Sequence, residues 1–264
     1  MDAFAQLAVT SVVKHFGPAR NRHVAVDDVS LTVEPGQRIG VVGESGSGKS
    51  TLARIMVGLE SPTAGSVDFN GAPLRSLLSM RASRVELRRE VQFVSQDTTS
   101  SFDPLRTLRD SIRQPAQRLL GLSGRDADGL VDETVALLGL APGLADRHPA
   151  EVSGGQRQRF AIARALVVRP KLLVCDEVVS ALDVSVQGSI LNLLKRYCLE
   201  SGAALVFVSH GLPATAFVCS ELVVMQNGQV VERGDTRQVL HDPRHPYTRA
   251  LLAAFRGGPA RSAA

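Results

Sequence analysis

Cysteine is scarce: Cys175, Cys198 and Cys219 are the only three in 264 residues. They lie far apart and match neither a zinc nor an iron–sulfur spacing. A disulfide scaffold is excluded, and buried thiols in a reducing compartment are expected. Long charge-free runs are nearly missing too. The stretch from Ser201 to Ser220 has no Asp, Glu, Lys or Arg and is about as long as a bilayer span. Its SHGLP interruption is polar and helix-breaking, so a buried strand, a loop and a helix are expected instead. The start, MDAFAQLAVTSVV, carries an acid where a secretion signal carries basic residues, and no small-residue cleavage site follows, so the chain is expected to stay in the cytoplasm. Basic runs are absent as well. The 30 Lys+Arg against 26 Asp+Glu give a net charge of +4, but these cations are mostly Arg and are spread along the chain, which argues against nucleic-acid binding.

What is present describes an ordinary globular protein: 44% of positions are hydrophobic and 21% charged, over a length that suits one domain or a domain with an inserted lobe. Leu7 to Phe16 alternates loosely. VDDVSLTVEPGQ ends in a Pro-Gly turn before RIGVVG, whose Ile39, Val41 and Val42 suggest a strand buried on both faces. A glycine-rich loop follows, then TLARIMVGL, with Leu52, Ile55, Met56 and Leu59 at helical spacing. Residues 97–152 turn to Arg-rich amphipathic segments broken by Gly and Pro, read as an inserted helical lobe. Phe160 to Val168 then reads as a helix, LLVCDE as a buried strand, and Val186, Ile190, Leu193, Leu194 and Tyr197 as one helix face. ALVFVS is a further buried strand, and Asn227-Gly228 suits a two-residue hairpin turn. Alternating helices and buried strands imply an α/β fold on a mainly parallel sheet covered on both sides. The expected division is a core of residues 1–96 and 153–240, the lobe at 97–152, and a C-terminal extension at 241–264.

The strongest chemical signal is GESGSGKST, which satisfies G-x-x-x-x-G-K-[ST] between an expected strand and an expected helix. Gly43, Ser45, Gly46, Ser47 and Gly48 are small enough for successive N–H groups to curl around an anion. The helix beginning near Lys49, Ser50 and Thr51 adds its positive end. Such a cradle fits a polyphosphate, with Lys49 reaching the β and γ phosphates and the Ser50 hydroxyl in a Mg²⁺ shell. In LLVCDE the strand ends on Asp176 and Glu177, at the sheet edge where ligands bind in such folds. Asp176 suits contact with Mg²⁺ and Glu177 suits polarising a water. In VSGGQRQRF, Ser153, Gly154 and Gly155 form a second anion-directed helix start. Two phosphate-facing helix starts but one complete cradle suggest that the second serves a nucleotide held by another subunit.

These residues together resemble the ATP-binding cassette family over nearly the full chain. VSGGQ is similar to its signature motif, with Val152 for the usual leucine, and Gln156 closes it. SALD, ending on Asp183, is similar to the D-loop. Gln96 in VQFVSQD matches the Q-loop glutamine, which the resemblance places near Mg²⁺ and the attacking water. His210 in FVSHG matches the γ-phosphate switch histidine. Phe16 in VVKHF falls where an aromatic ring stacks on adenine. The resemblance implies a P-loop core with an N-terminal antiparallel β subdomain and the helical lobe. SQDTTSSFDPLRTLRDSI and RHPYTRALLAA, Arg244 to Ala254, resemble a narrower branch, the dipeptide, oligopeptide and nickel importers. Two departures stand out: Val178 replaces a common proline, and Gly211 an acid that often follows the histidine. No iron–sulfur cluster is expected.

The resemblance implies an ATPase using ATP and Mg²⁺ at the cytoplasmic face of a membrane. Its partners would be transmembrane permease subunits, a second cassette ATPase and, indirectly, an extracytoplasmic binding protein. That branch commonly pairs two different ATPases, which implies a heterodimer, although the residues themselves leave a homodimer open. They also leave open a phosphonate-breakdown accessory subunit, a soluble mechanochemical ATPase and a nonhydrolytic nucleotide-binding module. The cargo is not written in the chain.

Overall fold

Alternating β-branched residues make Leu7–Phe16 (β1) and His23–Val33 (β2) an antiparallel pair, from Leu7 opposite Val33 to Phe16 opposite His23. In the computed structural model, which describes residues 5–18, 20, 22–98, 100–180 and 182–256, β1 also pairs with Ala64–Phe69 (β4), which pairs in turn with Ala72–Pro73 (β5). This four-stranded sheet has the order β2-β1-β4-β5 and is antiparallel throughout. Between its strands the chain forms Arg38–Val42 (β3) and Lys49–Met56 (α1).

Leu74–Ser79 (α2) and Arg81–Glu90 (α3) lead into Val91–Val94 (β6). Then come Leu108–Leu120 (α4), Gly124–Leu137 (α5) and Gly154–Leu166 (α6), before Leu172–Asp176 (β7). Thr107 caps α4 and Ser123 caps α5, each accepting from an aspartate amide three residues on. Val184–Ser201 (α7), Ala204–Val208 (β8) and Leu212–Val218 (α8) follow. Glu221–Gln226 (β9), Gln229–Asp235 (β10), Thr236–His241 (α9) and Pro246–Arg256 (α10) complete the described chain.

The second sheet has six strands in the order β10-β9-β3-β8-β7-β6. All its pairings are parallel except β10 against β9. Strands β7 and β8 at its centre are buried at every position because both faces are covered. Val174, Val206 and Val41 point into a core shared with α1 and the antiparallel sheet. Cys175, Phe207 and Leu205 point the other way, into a core that runs through α6 and α7 to Ile112 and Val131 of α4 and α5. All three cysteines are buried, and burial pushes the Cys198 thiol up to about 12.

The segment from Ala64 to Glu90 was passed over by periodicity alone. It is short-patterned: α3 buries only Leu87 and β4 only Val67 and Phe69, too few for a repeat to register. Among the described residues no helix is long and apolar enough to cross a membrane.

Candidate functional site

Four neighbouring parallel strands deliver the chemistry to one edge of the sheet. Gly43 follows β3, Gln96 lies just beyond β6, Glu177 directly follows β7, and His210 lies just beyond β8. The strands are in register there, with Asp176 opposite Val208 and Val94 opposite Cys175. Loops leaving aligned carboxyl ends therefore converge, as in other open α/β sheets.

The Gly43–Thr51 loop is built on glycine for steric reasons. Gly43, Gly46 and Gly48 have φ of 152°, 81° and 100°. A Cβ on Gly48 would fall 2.0 Å from the Ala25 carbonyl oxygen, and one on Gly43 2.2 Å from that of Met225. Behind the loop, the Gly228 amide donates to the Ser47 carbonyl at 3.1 Å, and the Asp27 amide to the Gly228 carbonyl at 2.9 Å. The β9–β10 hairpin tip and β2 thus brace the cradle through these backbone bonds, beside which the Gln229 side chain donates to the Asp27 carboxylate at 2.7 Å. Gly48→Ala combines strain with collision. Affinity for ATP is expected to fall about tenfold or more, the equivalent of about 1.4 kcal/mol. Titration with a fluorescent ATP analogue checks this, and unchanged affinity would mean that the loop adapts.

Lys49 is buried and its Nζ donates to the Gly43 carbonyl at 2.9 Å and the Glu44 carbonyl at 2.7 Å, with the Ser47 hydroxyl at 3.3 Å. Burial holds its ammonium below the usual lysine range, against the attraction of Glu177, Asp176 and Glu44. Asp176 is buried as well. Burial pushes its carboxyl above the ordinary range, opposed by the Ser50 hydroxyl, which donates to Oδ1 at 2.8 Å. A buried cation beside a buried carboxylate fits a ligand that brings anionic oxygens to one and a metal ion to the other.

The donor set agrees with Mg²⁺, which takes hard oxygens, keeps several waters and needs one or two protein ligands beside the phosphates. Ser50 Oγ and Asp176 Oδ1 are adjacent oxygens of that kind. Among the described residues no group of three or more His, Cys, Asp or Glu could hold a metal by itself.

Glu177 stands next to Asp176 but in a different setting. Its backbone has φ of 50°, an uncommon value for a residue with a side chain. The Glu177 amide donates to the Val208 carbonyl at 2.9 Å, and the Ser180 hydroxyl donates to the Glu177 carbonyl at 2.9 Å. These bonds hold the turn that separates the directions of the two carboxylates. Oε2 of Glu177 accepts from Gln96 Nε2 at 3.0 Å and lies 3.4 Å from Nδ1 of His210. Gln96, Glu177 and His210 are therefore brought together, and Ser50 joins Asp176 beside them.

Other expected site residues stand apart. The Ser153 hydroxyl accepts from the Gln156 amide at 3.2 Å and the Gln156 side chain accepts from the Ser153 amide at 3.0 Å, a reciprocal cap on α6. Gly154 and Gly155 open that helix, and Gly155 lies against Leu182 and Val186 of the segment around Asp183. No hydrogen bond among the described residues joins this turn to the Gly43–Thr51 loop. Asp183 occupies the N-cap position of α7 without a side-chain cap bond. Phe16, at the end of β1, is 41% exposed with Lys14 Nζ 4.9 Å from its ring centre. Of the two departures, Val178 is buried in the core, and Gly211 begins α8 with its amide donating to the Ser209 hydroxyl at 2.9 Å. Ala181, within the SALD motif, lies outside the described residues.

Sequence reading placed Gly228 in a hairpin turn but missed that it, Ala25 and Asp27 support the loop, because backbone contacts leave no side-chain signature. It also missed Tyr247, whose hydroxyl accepts from the Glu44 amide at 3.0 Å. The RHPYTRALLAA segment that contains it was visible, but its contact with the loop was not.

A phosphate cradle at the head of a central parallel strand, with carboxylates ending the next strand but one, defines a P-loop nucleoside triphosphatase. The family model described as ABC transporter matches residues 26–180, and that of the oligopeptide/dipeptide transporter C-terminal region matches residues 231–257. The first spans more than half of the chain, so the chain belongs to the ABC transporter family, and it is an ATPase of that family. A putative peptide import ATP-binding protein of Brucella abortus (strain 2308) is 43% identical over 239 residues, 89% of this chain and 71% of that protein. The oligopeptide transport ATP-binding protein OppF of Salmonella typhimurium (strain LT2) is 43% identical over 87% of this chain and 69% of its own length. The glutathione import ATP-binding protein GsiA of Escherichia coli (strain K12) is 44% identical over 87% of this chain, which spans only 37% of that protein. Among solved structures, the ATP-binding cassette MJ0796, in a dimeric post-hydrolysis state with ADP and Pi, superposes with a TM-score of 0.81 at 28% identity, covering 88% of this chain and 99% of its own.

Proposed function

We propose that this ATPase powers an importer of dipeptides, oligopeptides or nickel from the cytoplasmic face of the membrane, as one of two cassettes bound to transmembrane permease subunits. The observation that carries this reading is the match of residues 231–257 to the oligopeptide/dipeptide transporter C-terminal region, on a chain whose site holds a phosphate loop and a glutamate braced for water activation. The peptide-import names of similar proteins support it. A binding protein outside the membrane would supply the cargo to the permease, and the second ATPase is a related but different chain.

In this reading, residues 1–96 and 153–240 form the nucleotide-binding core, 97–152 the lobe that faces the permease, and 241–264 an extension. Gly43, Ser45, Gly46, Ser47, Gly48 and Thr51 wrap the phosphates, Lys49 neutralises the β and γ groups, and Phe16 stacks on the adenine. Ser50, Asp176 and Gln96 hold Mg²⁺, which when bound screens charge on the phosphates. Glu177 takes a proton from the attacking water, oriented by Gln96, while His210 contacts the γ-phosphate. Ser153, Gly154, Gly155, Gln156 and Asp183 complete the site of the partner cassette. The reciprocal cap on Ser153 supports that role, since it fixes the helix start while engaging the Ser153 and Gln156 amides and leaving those of Gly154 and Gly155 outside the cap. A γ-phosphate gripped from both sides binds the closed pair better than the open one, and hydrolysis removes that difference.

Copurification tests the assembly. The tagged chain, coexpressed with the permease, is expected to carry along membrane subunits and a second ATPase. Recovery as a monomer that hydrolyses ATP at full rate would sink it.

A further inference from the structure

The C-terminal hallmark is anchored to the back of the phosphate loop by a short relay. Glu232 of β10 accepts from the amides of Arg244 at 2.9 Å and His245 at 3.0 Å. Burial pushes the Glu232 carboxyl up, and the Arg244 amide, Thr248, the His245 amide and Gln238 together outweigh it and hold it below the usual range. His245 Nδ1 accepts from the Tyr247 amide at 3.2 Å, turning the chain into α10. Leu251 and Leu252 of α10 pack with Val42, Leu212, Leu222 and Val224, and the half-buried Tyr247 ring lies against this cluster. Val42 immediately precedes the phosphate loop and Leu212 follows His210 by two positions.

Tyr247 then touches the loop itself. Its hydroxyl accepts from the Glu44 amide at 3.0 Å. That amide and the Gly43 carbonyl belong to a single peptide unit, and the Gly43 carbonyl accepts from Lys49 Nζ at 2.9 Å. One peptide plane is thus held at its N–H edge by Tyr247 and at its C=O edge by Lys49. Rotation of that plane would carry the carbonyl away from the ammonium.

We propose that Tyr247 is a positioning residue of the nucleotide site: by fixing the Gly43–Glu44 peptide it keeps Lys49 aimed across the cradle. This rests on the reading of the Gly43–Thr51 loop as the ATP site. The hallmark segment is then part of the ATPase, supporting it from behind.

Tyr247→Phe tests this, since it keeps the ring in the apolar cluster and removes only the oxygen. The dissociation constant for Mg-ATP is expected to rise about fivefold, the equivalent of about 1 kcal/mol for one net hydrogen bond. KM should rise with it, while kcat at saturating ATP stays within about twofold, the signature of lost binding organisation. Hydrogen exchange of the peptide covering the loop should accelerate, with the melting temperature nearly unchanged. Unaltered affinity and exchange, or weakened binding only in step with a lowered melting temperature, would overturn the proposal while leaving the ATP site standing. Failure of the unaltered chain to bind ATP would overturn both.

Discussion

Glu177→Gln is expected to lower ATP turnover by about 10³-fold while ATP still binds and closed pairs accumulate. The substitution keeps the length and shape of the side chain and removes its capacity to take a proton. In the proposed reading Glu177 has that task. Its Oε2 lies 3.0 Å from Gln96 Nε2 and 3.4 Å from His210 Nδ1, whereas neighbouring Asp176 is turned to the Ser50 hydroxyl at 2.8 Å. Phosphate release measures turnover, and gel filtration with ATP and the second ATPase measures pairing. With hydrolysis blocked, the triphosphate persists between the two cassettes and the pair does not reopen, so the dimer peak should grow as turnover disappears. Hydrolysis at the original rate would remove Glu177 from the role of base.

Lys49→Ala is expected to act earlier, on binding itself, weakening affinity for ATP about 100-fold. Lys49 offers charge-assisted hydrogen bonds from a buried position, each worth about 1.5–3 kcal/mol. Its loss also removes a buried cation that attracts Glu177 and Asp176. Titration with a fluorescent ATP analogue gives the affinity directly. No ATP-dependent pairing should remain at concentrations that saturate the original chain. The two variants therefore separate: one binds and pairs without turnover, the other fails to bind. Equal affinity in Lys49→Ala would place the phosphates somewhere other than the Gly43–Thr51 loop.

Much of the fold was legible because buried parallel strands are written as unbroken apolar runs. LLVCD and ALVFV are buried at every position, and the Asn227-Gly228 turn appears as expected, with φ of 49° and 84°. The phosphate loop was legible for a different reason: glycine is required wherever a Cβ would strike a carbonyl, so the cradle leaves its mark in residue type. Gln96 and His210 were not legible as neighbours of Glu177 by spacing. They are separated from it by 81 residues in the one case and a helix and a strand in the other, and only the sheet order unites them. Family resemblance supplied what local pattern lacked. The Tyr247 contact escaped both, because a tyrosine beside a proline in a terminal helix has the same pattern whether its hydroxyl meets water or a backbone amide. The Ala64 to Glu90 segment escaped because its two short strands and two short helices bury few side chains each.

The hairpin tip at Gly228 joins the two sheets of the molecule, one bond reaching the phosphate loop through Ser47 and another reaching β2 through Asp27. Both are main-chain bonds, joined by one from the Gln229 side chain to the Asp27 carboxylate, so the rear of the cradle is set largely by the count of residues in the hairpin and the handedness of its bend. Side-chain identity at Asn227 contributes little there beyond tolerating the bend. The wall behind a triphosphate thus depends on a tip whose two residues both take a positive φ, and one link more or fewer between β9 and β10 would displace it.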